Sequence, residues 1–417
     1  MATFKCLELL YLNYYKDKAN ELKNIEAEKS NIFKLKYLNS ISYEFIDMKI
    51  IHSQDFDKEI SEILQNLEKL QKPEENNKFI NGKFIFGLIK KGFKMGESFQ
   101  AHQKFINSLI VTKDNKIITA SNDYYMKVWE PNKAKVPKQE EKEKLNNLFC
   151  LKNGKILASN KNNILIFELN KDNKYIISQS LTNHDKNISA TTQLDDGTII
   201  SAGSDKKIIF WEENPINKQY KIKQILKTEK EVQILLPLND FKISYAGNDD
   251  GIINILGAKI DFNNEKKIES KQFSEICKLT KLKGNVNCIC KLNQDYFVSG
   301  GGDNYNENKL DHNIYIWKPF GEKYALSQVL FNAHQGDVNS IILLRDGNFA
   351  SSSKDRTIKI WKRYKKKIDT NINFILHQTL NEYNHGLYKL VQLEDDRIVS
   401  STSTNLLVFW NNTDNIF

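Results

Sequence analysis

Three segments of this sequence place a histidine, an aspartate and a tryptophan at the same two intervals. From His102, His184 and His334 an aspartate follows 21 residues on, at Asp123, Asp205 and Asp355, and a tryptophan 6 residues later, at Trp129, Trp211 and Trp361. A hydroxyl side chain sits 10 residues before each tryptophan, at Thr119, Ser201 and Ser351. A motif that returns with every interval intact marks a repeated structural unit, and such a repeat constrains the fold more than any local propensity does.

Weaker copies fill the gaps. Trp317 has Asp311 six before it, and Trp410 has Thr404 in the aspartate position. Phe167 and Leu256 occupy the tryptophan position of two further units, which lack both the histidine and the indole. The unit ends 129, 167, 211, 256, 317, 361 and 410 therefore count seven. Within each unit short runs of alternating apolar and polar residues are separated by turn signals such as "KNG", "DDG" and "RDG". That is the pattern of small antiparallel sheets.

On these residues the stretch 93–417 resembles the WD-repeat β-propeller family. The resemblance implies an all-β fold, a seven-bladed WD-repeat β-propeller, preceded here by a small α-helical N-terminal region. After Trp410 only "NNTDNIF" remains, too short for the outer strand of the seventh blade. Residues 93–100, "FKMGESFQ", are expected to supply that strand and so remove an open sheet edge. The resemblance also implies that each set is a buried hydrogen-bond chain in which aspartate holds histidine, histidine reaches the hydroxyl and the hydroxyl reaches the indole.

A serine, a histidine and an aspartate would otherwise suggest acyl transfer. Here the set recurs at His102, Thr119, Asp123 and Trp129, at His184, Ser201, Asp205 and Trp211, and at His334, Ser351, Asp355 and Trp361, whereas an active site seldom appears three times in one ring. No GxGxxG after a strand, Walker loop, GxSxG or HExxH is found. The glycine run "SGGGDN", 299–304, has no helix after it to supply an N-terminal dipole, and reads as a turn leading into a surface loop. The chain is read as a non-enzyme with no cofactor and no metal.

Residues 1–75 read as helical, 76–92 as a linker and 93–417 as the propeller. In "SQDFDKEISEILQNLEKLQKP" Ser53 or Asp55 can cap a helix whose apolar residues Phe56, Ile60, Ile63, Leu67 and Leu70 recur at steps of 4 and 3 before Pro73 stops it. This is compatible with a short coiled coil and with self-association through the N-terminal helices.

The formal charge of +9 comes from 61 basic residues, of which only Arg345, Arg356, Arg363 and Arg397 are arginine. The first 98 residues hold 16 lysines against 15 acids, so the excess lies beyond them. Five scattered cysteines with no paired spacing suit a reducing compartment. No run reaches the roughly 18 apolar residues of a membrane span, and the N-terminus lacks a secretory pattern, which points to an intracellular, cytoplasmic protein.

Carried over by position, the family's contact face comprises Asn107, Ser189, Gln233, Asn287, Asn339 and Tyr388 past the start of each inner strand, and Asn122, Ser204, Asp249, Lys354 and Ser403 before the aspartate position. These residues are small, polar and almost uncharged, which favours a protein or peptide ligand. A basic patch, Lys362, Arg363, Lys365, Lys366 and Lys367, follows the third strand of blade six and should emerge on the opposite face. The expectation is a protein–protein interaction scaffold that assembles a complex. The alternatives are an RNA-binding or ribonucleoprotein component gripping phosphate through propeller lysines, and a ubiquitin-ligase substrate adaptor.

Overall fold

The computed structural model describes residues 92–413 apart from 132–136, 240, 248–250, 263–267, 303–310 and 365–371. Contacts divide the chain into Met1–Lys91 and Gly92–Phe417, and every described residue belongs to the second unit. The expected N-terminal helices, the linker up to residue 91, Asp249, and Lys365, Lys366 and Lys367 lie outside the described residues.

Alternating runs become strands, and the strands assemble as seven four-stranded antiparallel sheets. Six of these blades are consecutive in sequence, with innermost strands Ile106–Val111, Asn147–Cys150, Ile188–Gln193, Ile234–Asn239, Asn285–Lys291 and Val338–Leu343. The seventh starts at Leu387–Gln392, and its outermost strand is Phe93–Gln100, which precedes the whole ring in sequence. Phe93 pairs with Asn412 and Gln100 with Leu406, antiparallel across a bulge between Met95 and Ser98. Just beyond the ladder, the Thr413 amide donates to the Gly92 carbonyl at 2.7 Å. Innermost strands touch in order around the ring, and the last, Leu387–Gln392, meets the first.

The core lies between blades, not within any one of them. Seven clusters of buried apolar side chains each draw on two neighbouring blades, one cluster for every junction of a closed seven-membered ring. Second strands, sandwiched on both faces, are buried at all five positions in Ile117–Ser121, Ile199–Gly203, Phe349–Ser353 and Ile398–Thr402. This explains why they mix large apolar residues with Ala, Ser and Gly: adjacent blades approach too closely for bulk at every position. Outer strands such as Tyr220–Lys227 alternate between buried or half-buried and exposed positions, as one-sided packing requires.

The glycine run differs from its sequence reading. Gly300, Gly301 and Gly302 belong to the second strand of blade five, Phe297–Gly302, rather than to a turn. A Cβ on Gly300 would come within 2.9 Å of Val338 in blade six, so close packing between blades is what excludes a side chain there.

Candidate functional site

In blade one the loop before the innermost strand delivers His102 to the second hairpin. Its Nδ1 lies 2.9 Å from Asp123 Oδ2 and its Nε2 2.7 Å from Thr119 Oγ1, and the Trp129 indole donates to the same Oγ1 at 2.9 Å. The set in blade three repeats the geometry at 2.9, 2.8 and 2.9 Å through Asp205, His184, Ser201 and Trp211. Blade six does so again at 2.9, 2.8 and 2.9 Å through Asp355, His334, Ser351 and Trp361. Each aspartate also takes two backbone amides. Asp355 accepts from Gln335 N at 2.9 Å on one oxygen and from Thr357 N at 2.9 Å on the other. One carboxylate thus closes the second hairpin and ties it to the loop that leads into the blade.

Burial lowers the pKa of all three histidines, against the pull of their aspartates. A neutral ring suits the chain of bonds: Nδ1–H donates to the carboxylate, Nε2 accepts the hydroxyl proton, and the hydroxyl oxygen accepts the indole N–H, so every partner is used once. Burial alone would raise Asp123 and Asp355. The amide of Gln103 with His102, and His334 with Thr357 and the amide of Gln335, outweigh it and hold both carboxyls below the usual range.

The resemblance of these sets to a hydrolytic triad ends at access. Thr119, Ser201 and Ser351 have no exposed surface, and each hydroxyl oxygen is already capped by an indole. A carbonyl carbon has no path to them, so the arrangement can hold loops but cannot attack a substrate. Among the described residues no three His, Cys, Asp or Glu side chains converge as a metal site would need, and no helix is long and apolar enough to cross a membrane.

Blades five and seven solve the same problem with different chemistry. In blade five the Trp317 indole donates to Ser299 Oγ at 2.8 Å, but the histidine is absent and the Tyr315 hydroxyl donates to Asp311 at 2.8 Å in its stead. Lys283 N completes the carboxylate's loop contact at 2.8 Å. Burial pushes the Tyr315 hydroxyl up to about 12, which keeps it a donor. In blade seven Trp410 donates to Ser400 at 2.9 Å, while the Tyr383 hydroxyl meets Thr404 at 3.1 Å. Blades two and four drop the indole. Phe167 lies opposite Ile156 and Leu256 opposite Ile243, where the other blades place tryptophan. Two residues along, the hydroxyl's register holds Ala158 in blade two and, in blade four, Tyr245, whose hydroxyl turns to Glu275 at 3.1 Å. Indole and small hydroxyl vanish together, since either alone would be a buried polar group without its partner.

The described residues of the expected contact face fall at one end of the ring. Asn107, Ser189, Asn287 and Asn339 each occupy the register shift of an innermost strand, and Tyr388 lies within that of blade seven. Gln233 stands just before its strand. The turn residues reach the same loops through their backbones: Asn122 N donates to Phe105 O, Ser204 N to Asn187 O, Lys354 N to Asp337 O and Ser403 N to Gly386 O, at 2.9 to 3.1 Å. Several side chains serve the ring itself. Asn107 Nδ2 bonds Asn122 Oδ1 at 2.9 Å and reaches the Leu145 carbonyl of blade two at 3.3 Å, and Asn339 Nδ2 donates to the Leu387 carbonyl of blade seven at 2.8 Å. Lys354 pairs with Asp337 at 2.9 Å. Of the basic patch, Lys362 and Arg363 lie near the far end of Ile358–Tyr364, and Arg363 N is anchored by Asn348 Oδ1 at 2.8 Å.

A further set of inter-blade contacts has no counterpart in the sequence reading. Gln139, Gln179, Gln224, Gln328 and Gln378 sit in outer strands, and each amide brackets the backbone of one aromatic residue in the next blade, donating to its carbonyl and accepting from its N–H. The aromatic residues are Tyr175, Tyr220, Phe273, Phe374 and Phe93. Among the described residues five of the seven junctions carry this clasp.

Comparison with known proteins follows the same geometry. The family model described as WD domain, G-beta repeat, matches residues 93–130, 172–212 and 326–362, and these three stretches contain the three complete hydrogen-bond sets. Residues 92–413 form a seven-bladed propeller that carries three WD40 repeats. Each matched stretch starts in or just before the strand that forms the outer edge of the preceding blade and ends one residue past a tryptophan. A crystal structure of the WD40 β-propeller domain of Doa1 aligns with a TM-score of 0.56 at 17% identity, over 77% of this chain and 97% of that one. At that identity the likeness speaks for the fold alone. A search of curated proteins finds no match.

Proposed function

We propose that this WD40 propeller is a non-enzymatic scaffold that holds a peptide or protein partner on the end of the ring formed by the loops before the inner strands and the second hairpins. WD40 propellers generally mediate protein–protein interactions, and nothing in the buried hydrogen-bond sets offers a competing chemistry. The observation that carries the reading is the tie between those two sets of loops. Four turn amides and three aspartates fix them to each other, which gives a preorganised polar surface on which an extended chain can bind at low entropic cost.

Site-specific photo-crosslinking tests it. A crosslinker at position 287, on this end, and another at position 346, in the first hairpin of blade six at the other end, are compared in native extract at low and high salt and with RNase. A discrete protein adduct from position 287 that survives high salt supports the scaffold. Adducts confined to position 346, or lost with salt or RNase, would instead support the ribonucleoprotein reading.

A further inference from the structure

Two lysines converge on one exposed tyrosine at the blade-one sector of this end. Tyr124 stands at the left-handed corner of the second hairpin, φ +71°, with 43% of its surface exposed. Lys144 Nζ, from the loop to blade two, lies 5.4 Å from the ring centroid, and Lys104 Nζ, from the loop before blade one, 5.9 Å. Among the described residues neither ammonium has a carboxylate within 4.0 Å, and both side chains are exposed. The nearby acids are engaged elsewhere: Asp123 with His102, Glu140 with Lys127 at 2.9 Å, and Glu143 with Asn160 at 2.9 Å.

The ring quadrupole of Tyr124 draws both ammoniums to one place on the surface without neutralising either. An anionic group of a ligand beside the ring supplies the countercharge that both lack, and the ring holds the two side chains near it beforehand. Next to this pair Asn122 is exposed, with its carbonyl fixed by Asn107 at 2.9 Å, so its amide can donate to a ligand backbone. Arginine, whose planar fork suits phosphate, is absent from the sector, whereas lysine acts as a point charge equally suited to a carboxylate.

We infer that Lys104, Lys144 and Tyr124 form a subsite for an aspartate- or glutamate-rich peptide segment of the partner. This rests on the scaffold reading above and gives the chemistry of its ligand.

The test uses the full chain and a fluorescent peptide of alternating glycine and glutamate, read by anisotropy at 50 and 300 mM salt. Its arms replace glutamate with phosphoserine, or the peptide with oligouridine. The result expected is saturable binding of the glutamate peptide, weakened about tenfold by Lys104→Glu with Lys144→Glu and a few-fold by Tyr124→Ala, and unchanged by Lys171→Glu with Lys174→Glu at the other end of blade two. No saturable binding of the glutamate peptide, equal loss in the Lys171 and Lys174 variant, or preference for phosphoserine or oligouridine overturns it. Should the glutamate peptide fail while the crosslink at position 287 persists, the ligand chemistry falls and the scaffold stands; should both fail, both fall.

Discussion

Gln378 holds the backbone of Phe93 from both sides, donating to its carbonyl at 2.7 Å and accepting from its N–H at 2.9 Å, across 285 residues of sequence. Phe93 begins the strand that closes the seventh blade, so one side chain of blade six anchors the seam where the two ends of the propeller meet. The same bracket recurs at four other junctions, but only here does it secure a strand that the chain does not reach consecutively.

Gln378→Ala should therefore cost more than a surface glutamine. It leaves a part-buried N–H and carbonyl without their partner, a loss of about 1–3 kcal/mol. The exposed Gln335→Ala should change stability by less than about 0.5 kcal/mol. Urea unfolding of the two variants checks the difference. A further signature is faster hydrogen exchange confined to residues 93–100, because the loss falls on the closing strand.

The buried sets give a coupled prediction. His334→Ala and Trp361→Phe should each destabilise by about 1–3 kcal/mol, since each strands a member of a chain in which every donor has one acceptor. A double-mutant cycle between Ser351→Ala and Trp361→Phe should show coupling of at least about 0.5 kcal/mol. Additive effects with unchanged melting of His334→Ala would mean that the chain contributes nothing to stability.

Acidification should weaken the fold through the three buried histidines. His102, His184 and His334 are lowered below the ordinary value of 6.5 by burial. The unfolded chain therefore binds protons at a pH where the folded one does not. Their contribution is fully present above about pH 6.5 and is lost as pH falls from there toward the folded values, at up to about 1.4 kcal/mol per pH unit for each histidine. Asp123 and Asp355, also lowered, act in the same direction but below their unfolded value near 3.8. Urea midpoints should hold from pH 7.5 to about 6.5 and fall below that toward pH 5, and His184→Asn should reduce that fall. A flat profile over this window would show that the rings accept protons in place.

How much of this was legible follows from what fixes each spacing. In blades one, three and six the inner strand and the first and second hairpins keep one length, so His, hydroxyl, Asp and Trp keep their intervals and announce the fold. In blade five the residues inserted after Gly302 stretch the hairpin, and a tyrosine two positions before Trp317 replaces the histidine, a substitution no fixed interval can reveal. The glutamine clasps join a side chain to the backbone of another blade 36 to 49 residues away, or 285 at the seam, so only the glutamine half is a residue choice. Spacing singled out Asn107 and Asn339 as polar residues near the start of their inner strands, yet gave no sign that their amides are partly spent bridging to the next blade.

Blade five also offers a test of why its histidine could be lost. Tyr315 donates to Asp311, a carboxylate only 4% exposed that still holds Lys283 N and Asn313 N. Tyr315→Phe removes that donor from a buried anion and should cost about 1–3 kcal/mol, toward the upper end because the acceptor is charged. Leu282, buried at 6% exposure, stands four residues before Val286, the last paired residue ahead of the register shift, which is the place His334 takes relative to Val338. Leu282→His in the Tyr315→Phe background puts an imidazole within reach of both Asp311 and Ser299, and the double variant should recover part of the loss. If it melts below Tyr315→Phe alone, the two devices are not interchangeable, and the tyrosine belongs to a packing arrangement specific to this blade.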